Sequence, residues 1–149
     1  MTYTKNFISE IRLTREPVKK NLLKVLKSSE DAFDTFSFLF HGNVDIYESF
    51  YVLFLDRSNA VTAFSKMSQG GTTGTVVDVK IICKIATNLL TQGVICLHNH
   101  PSGNLQPSTQ DIAITKKLKM ALDLFDIKLL DHLIVSADGY YSFADENNL

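Results

Sequence analysis

Tryptophan is absent from this 149-residue chain, and cysteine, proline and glycine are scarce, at two, three and seven residues. Cys83 and Cys96 cannot build a disulfide framework and do not form a Cys-x-x-Cys pair, which fits a reducing cytoplasm. No apolar run approaches the roughly 20 residues that span a bilayer. The opening stretch "MTYTKNFISEIRLTRE" is polar and lacks a signal-peptide core. The expectation is a cytoplasmic protein with no membrane partner. A phosphate-binding loop is missing as well, since "GGTTG" at 70–74 lacks the lysine and the helix that such a loop needs. No Gly-x-Ser-x-Gly nucleophile elbow is present, and neither repeats nor low-complexity segments occur.

Net charge is also small, at −1, but it is unevenly spread. Residues 1–30 carry seven Lys/Arg against three Glu, and residues 31–149 carry eight against thirteen acids. A basic arm of this kind is usually a solvated face, so nucleic-acid contact is only weakly supported. The chain is long enough for one domain with a real core. We read 1–27 as a basic helical extension and 28–149 as the domain.

What is present has clear periodicity. "PVKKNLLKVLKSS" reads as a short helix with Val18, Leu22, Val25 and Leu26 on one side. A second helix starts at Ser28 or Ser29, with Ser29 as a fitting N-cap and Phe33, Phe36, Leu39 and Phe40 as its stripe, and "HGN" stops it. "SFYVLFLD" is a buried strand, and "AVTAFSKMSQ" is its antiparallel partner across an Arg57-Ser58-Asn59 turn. Asp78 caps a helix whose buried face holds Val79, Ile82, Ala86, Leu89 and Leu90. "GVICLHN" is the next strand. A helix after Pro107 follows, with Ile114, Leu118, Ala121, Leu122 and Phe125 in phase. "IKLLDHLIV" and "YYSFA" complete a mixed β-sheet with flanking helices, an α/β (α+β) fold.

The chemistry concentrates in "LHNHPSGNLQPSTQD", residues 97–111. Side chains two apart on a strand share a side, so His98 and His100 aim at one point. After the turn, the next helix returns Asp111 in its first turn. Two imidazole nitrogens and a carboxylate leave a tetrahedral position open, as catalytic metal sites do. Zinc suits this set, and nickel, cobalt and iron share the ligand type. A plainer reading competes: Ser108-Thr109-Gln110-Asp111 fits a helix capping box, with the histidines merely ending a strand. That reading explains Ser108 and Asp111 but not the histidines.

The spacing His-x-His, seven residues, Ser, two residues, Asp resembles the JAMM (MPN+/JAB) metalloprotease motif. Asn between the histidines, the following Pro-Ser-Gly, "LLDHLIV", "ESFYVLFLD" and "YYSFAD" are similar to its RadC-like branch, over about residues 28–146. The resemblance implies an MPN/JAB (cytidine deaminase-like) architecture, one Zn²⁺ per chain on His98, His100 and Asp111, and metal-assisted hydrolysis of a peptide or isopeptide amide. It also implies Glu48 as general base and Ser108 as the oxyanion donor. JAMM peptidases acting on isopeptides usually carry Ser or Thr where Asn99 stands. The helix-hairpin-helix segment of longer RadC proteins has no counterpart in residues 1–40.

Two rival readings remain at this stage: a non-catalytic MPN-type interaction module, and a DNA-associated protein linked to repair. Protein or peptide is the expected substrate, and a homo-oligomer is compatible with the sequence. His132 and its neighbour Asp131 are candidates for partners of a ligand, with a buried histidine satisfied by backbone as the alternative. Cys96 and Cys83 read as packing, His41 as a surface residue, and Lys116, Lys117 and Lys119 as the wet side of a helix.

Overall fold

Seven consecutive buried residues, Ser49–Leu55, form strand β1, and their apolar, β-branched and aromatic side chains suit a strand covered on both faces. The computed structural model describes residues 23–70 and 76–149. Around β1 stand β2 (Val61–Gln69), β3 (Gly93–Asn99), β4 (Lys128–Val135) and β5 (Tyr140–Ser142), in the sheet order β2-β1-β3-β4-β5. Only β3 and β4 run parallel, joined by the long helix α3 (Thr109–Asp123); the other neighbours are antiparallel. This is a mixed α+β fold, as the periodicity predicts.

Alternation along the strands divides the core. Phe50, Val52 and Phe54 of β1 pack with Val94 and Cys96 of β3 against α2 (Val79–Asn88) and α3. Tyr51, Leu53, Leu55, Ile95 and Leu97 face the other way, against α1 (Ser29–Phe36) and the 3₁₀ turn Ser37–Phe40 that extends it. Helices thus cover both faces.

Four local readings are corrected. The N-cap of α1 is Ser28, whose side chain accepts from the Asp31 amide. Residues 23–27 form no helix; Val25 bridges Ala60 and the Val61 amide donates to the Lys24 carbonyl. Their backbone groups find partners beside the β1–β2 turn, which overrides a helical spacing of only a few residues. The rest of the basic extension, residues 1–22, and the loop at 71–75 lie outside the described residues. Leu90 is exposed, because α2 ends at Asn88 and Leu90 takes a left-handed φ of 53°. Phe125 is likewise exposed beyond the end of α3, and Asp126 turns the chain with φ 56°.

A buried carboxylate ties the far edge of the sheet together. Asp131 on β4 accepts from Ser142 Oγ at 2.7 Å, the Ala144 amide at 3.0 Å and the His132 amide at 2.7 Å. Burial raises its pKa, and the three donors oppose that shift without cancelling it. Asp131→Ala leaves these donors unpaired and should cost about 2–4 kcal/mol in denaturant unfolding. Asp131→Asn keeps an acceptor and removes the buried charge, so its cost should be below about 1 kcal/mol. A folded pKa above the unfolded one means more protons bound in the folded state. Wild-type stability relative to Asp131→Asn should therefore increase as pH falls through the raised pKa, and a decrease would contradict this placement.

Candidate metal centre

Strand β3 ends at the site. Its period-two alternation sends His98 to the α2/α3 side of the sheet, and the His100 amide stays paired to the Val135 carbonyl, so the extended path persists to that residue. The chain then turns, with the Gly103 amide donating to the His100 carbonyl and Gly103 at φ +77°, a conformation that favours glycine. Helix α3 begins with a full capping box. Ser108 Oγ accepts from the Asp111 amide at 3.1 Å, and Asp111 Oδ2 accepts from the Ser108 amide at 2.7 Å. The cap holds the Asp111 carboxylate on the inward side of the helix, where the residue is buried.

Three side chains with ligand-type atoms converge there. His98 Nε2 lies 2.9 Å from His100 Nε2 and 3.1 Å from Asp111 Oδ1, and His100 Nε2 lies 3.3 Å from Asp111 Oδ2. Atoms about 2.0–2.1 Å from a tetrahedral zinc ion stand about 3.3–3.4 Å apart, so the spacing fits such an ion with little adjustment. His100 Nδ1 faces the Asn104 carbonyl at 2.7 Å, and a carbonyl only accepts, so Nδ1 carries a hydrogen, and in the neutral ring Nε2 bears the lone pair. Two basic nitrogens and a carboxylate facing one point require a cation, either a proton or a metal ion. The charges respond accordingly: the Asp111 side chain raises the His100 pKa, against the opposing effect of burial. Burial alone would raise Asp111; His100 and His98 outweigh it and hold the carboxyl well below its usual range.

Behind the ligands lies a layer of polar side chains. His98 Nδ1 is 2.7 Å from His132 Nε2, and His132 Nδ1 is 2.6 Å from Thr115 Oγ1. His132 is fully buried, stacked on Phe143 at 4.9 Å and edge-on to Phe50 at 5.3 Å. Burial, then the neighbouring His98, holds its pKa well below the ordinary histidine value. Its ring nitrogens are satisfied by side chains, not backbone. Asp131, the other candidate partner of a ligand, spends its carboxylate on the three donors described above. Adjacent strand residues face opposite sides, so it cannot join its neighbour His132 there.

Glu48 directly precedes β1, at the end of the antiparallel β1–β3 ladder where Phe50 is opposite His98. Its charge contributes to the raised His100 pKa. Asn99, wholly buried on the opposite side of β3, clamps this entry to β1. Its Oδ1 accepts from the Ser49 amide at 2.8 Å, and Nδ2 donates to Val44 and Tyr47 carbonyls at 2.7 and 2.8 Å. Ser or Thr could not make all three bonds. Ser108 is exposed at the rim; its Oγ accepts the helix amide, which leaves its O–H to donate outward. Cys96 is buried, and burial followed by the Asp131 charge pushes its thiol pKa far up, away from the thiolate a metal requires. His41 is exposed, as expected.

Thr115 and the clamp formed by Asn99 escape a reading of the sequence. Thr115 does carry a signal: it follows Asp111 by one helical turn and keeps a polar side chain on the inward face of α3.

Residues 26–149 match the sequence profile of the RadC-like JAB domain. A UPF0758 protein of Flavobacterium johnsoniae is 42% identical over 143 residues, which is 95% of this chain and 62% of that relative. A UPF0758 protein of Chlorobaculum parvum is 33% identical over 132 residues, 87% of this chain and 58% of the relative. One from Porphyromonas gingivalis is 42% identical over 103 residues, 68% of this chain and 45% of the relative. The chain thus spans about half to three-fifths of the length of these curated relatives.

Elemental analysis of protein purified without a metal-affinity tag should find about one zinc per chain, and His100→Ala should lose it. Retention of stoichiometric zinc by His100→Ala would remove His100 from the site.

Proposed function

The chain belongs to the RadC-like JAB domain family, and from that premise we propose that it is a zinc-dependent hydrolase of the JAMM class, acting on a peptide or isopeptide amide of a protein or peptide substrate. The convergence of His98 Nε2, His100 Nε2 and the Asp111 carboxylate on one point carries this reading. His98, His100 and Asp111 would hold the ion, with one coordination position left for water or substrate. A bound zinc ion lowers the pKa of its water to about 7 and polarises a carbonyl.

The remaining steps belong to the protein. Glu48, just before β1 and close enough for its charge to act on His100, accepts a proton from the attacking water and returns it to the departing amine nitrogen. Ser108 donates its free O–H to the carbonyl oxygen as negative charge develops there. The bond between the carbonyl carbon and the amine nitrogen breaks, giving a carboxylate and an amine. Asn99 supports this chemistry at a distance, by tying both peptide neighbours of Glu48 to the strand that carries both histidines.

Turnover on a panel of fluorogenic peptide amides and isopeptides tests these roles. Glu48→Gln should retain zinc and lose about 10²–10⁴-fold in kcat. Ser108→Ala should lose about 10²–10³-fold. A Glu48→Gln protein with full activity on a substrate cleaved by wild type would remove Glu48 from the mechanism.

A further inference from the structure

We infer that Thr115 is a positioning residue for the metal, setting which nitrogen of His132, and through it of His98, carries the proton. The inference rests on the metal reading of His98, His100 and Asp111, and extends it to a residue that touches none of the ligand atoms. Thr115 Oγ1 lies 2.6 Å from the backbone carbonyl of Asp111, one helical turn earlier. A carbonyl oxygen cannot donate, so the single hydroxyl proton of Thr115 is spent on it. The same Oγ1 can then only accept in its 2.6 Å contact with His132 Nδ1, so that nitrogen carries a hydrogen.

His132 is enclosed by Phe50, Phe143 and the sheet, and among the described residues no carboxylate is in hydrogen-bond contact with its ring. With one hydrogen fixed on Nδ1, the neutral ring that such an apolar enclosure favours offers a lone pair at Nε2. In the 2.7 Å contact between the two rings, His98 Nδ1 must supply the hydrogen. In the neutral ring that leaves the lone pair on His98 Nε2, on the side where Asp111 Oδ1 stands 3.1 Å away. All the protons point one way around the path, and its direction is dictated at one end by the Asp111 carbonyl. Both ends belong to ligands: Asp111 begins the path through its backbone, and His98 ends it. One hydroxyl thus joins the helix that supplies the carboxylate to the strand that supplies the histidine. A neutral imidazole behind His98, in place of a carboxylate, adds no negative charge to the site.

Zinc affinity by chelator competition and ring-nitrogen NMR of the histidine-labelled 149-residue chain test this together. Wild type should show His132 protonated at Nδ1 and His98 at Nδ1. Thr115→Val, which keeps the shape but not the hydroxyl, should lose about 10–100-fold in zinc affinity, and Thr115→Ser should restore most of it. A role confined to packing predicts the reverse order, because Val preserves the volume. Equal zinc affinity in wild type and Thr115→Val would overturn the role of Thr115 and leave the metal reading intact. A wild-type His132 protonated at Nε2 would also overturn it, whether or not the variants fold. Wild type that takes up no zinc overturns the metal reading, and this inference with it.

Discussion

Two backbone carbonyls that can only accept hydrogen bonds orient polar side chains around this centre. The Asn104 carbonyl takes the Nδ1 hydrogen of His100, and the Asp111 carbonyl takes the hydroxyl hydrogen of Thr115. In neutral rings these contacts would leave both Nε2 atoms with lone pairs, 2.9 Å apart beside a carboxylate. Such an array is unfavourable without positive charge at its centre. The proton on His100 that Asp111 favours and a metal ion compete for the same place.

The scaffold makes this array affordable. Parallel pairing of β3 with β4 demands a crossover, and α3 supplies it, with its N-terminus beside the end of β3. The capping box then does two things at once: it satisfies the first-turn amides of α3 and fixes where Asp111 stands. The cap at residues 108–111 and the placement of Asp111 beside the two histidines are therefore one arrangement. Asn99 pins the segment before β1, which carries Glu48, to the end of β3.

Much of this is legible in the sequence, because it depends on local rules. Period two puts His98 and His100 on one side of a strand, and a Ser-x-x-Asp cap returns Asp111 to the same place. The order of strands and helices also follows from their periodicity. What escapes depends on tertiary partners. Val25 and Leu26 keep a helical spacing, yet their backbone pairs beside the turn at Asn59–Val61. Leu90 and Phe125 continue apolar stripes past helix ends, where the chain has already turned to solvent. Asn99 looks like a spacer between ligands until the segment at 44–49 is seen beneath it. Thr115 looks like an ordinary helix residue until His132 arrives from another strand. Asp131 adjoins His132 in sequence, but neighbours on a strand face opposite ways, and its carboxylate serves β5 and the turn beyond.

The central claim is that the two histidines and Asp111 together hold one zinc ion through nitrogen and oxygen alone. X-ray absorption at the zinc edge, on protein loaded with one equivalent, reads the ligand atoms directly. The account predicts imidazole scattering and a first shell of nitrogen and oxygen at about 2.0–2.1 Å, with no sulfur. A sulfur shell at about 2.3 Å, or zinc without imidazole scattering, would contradict it.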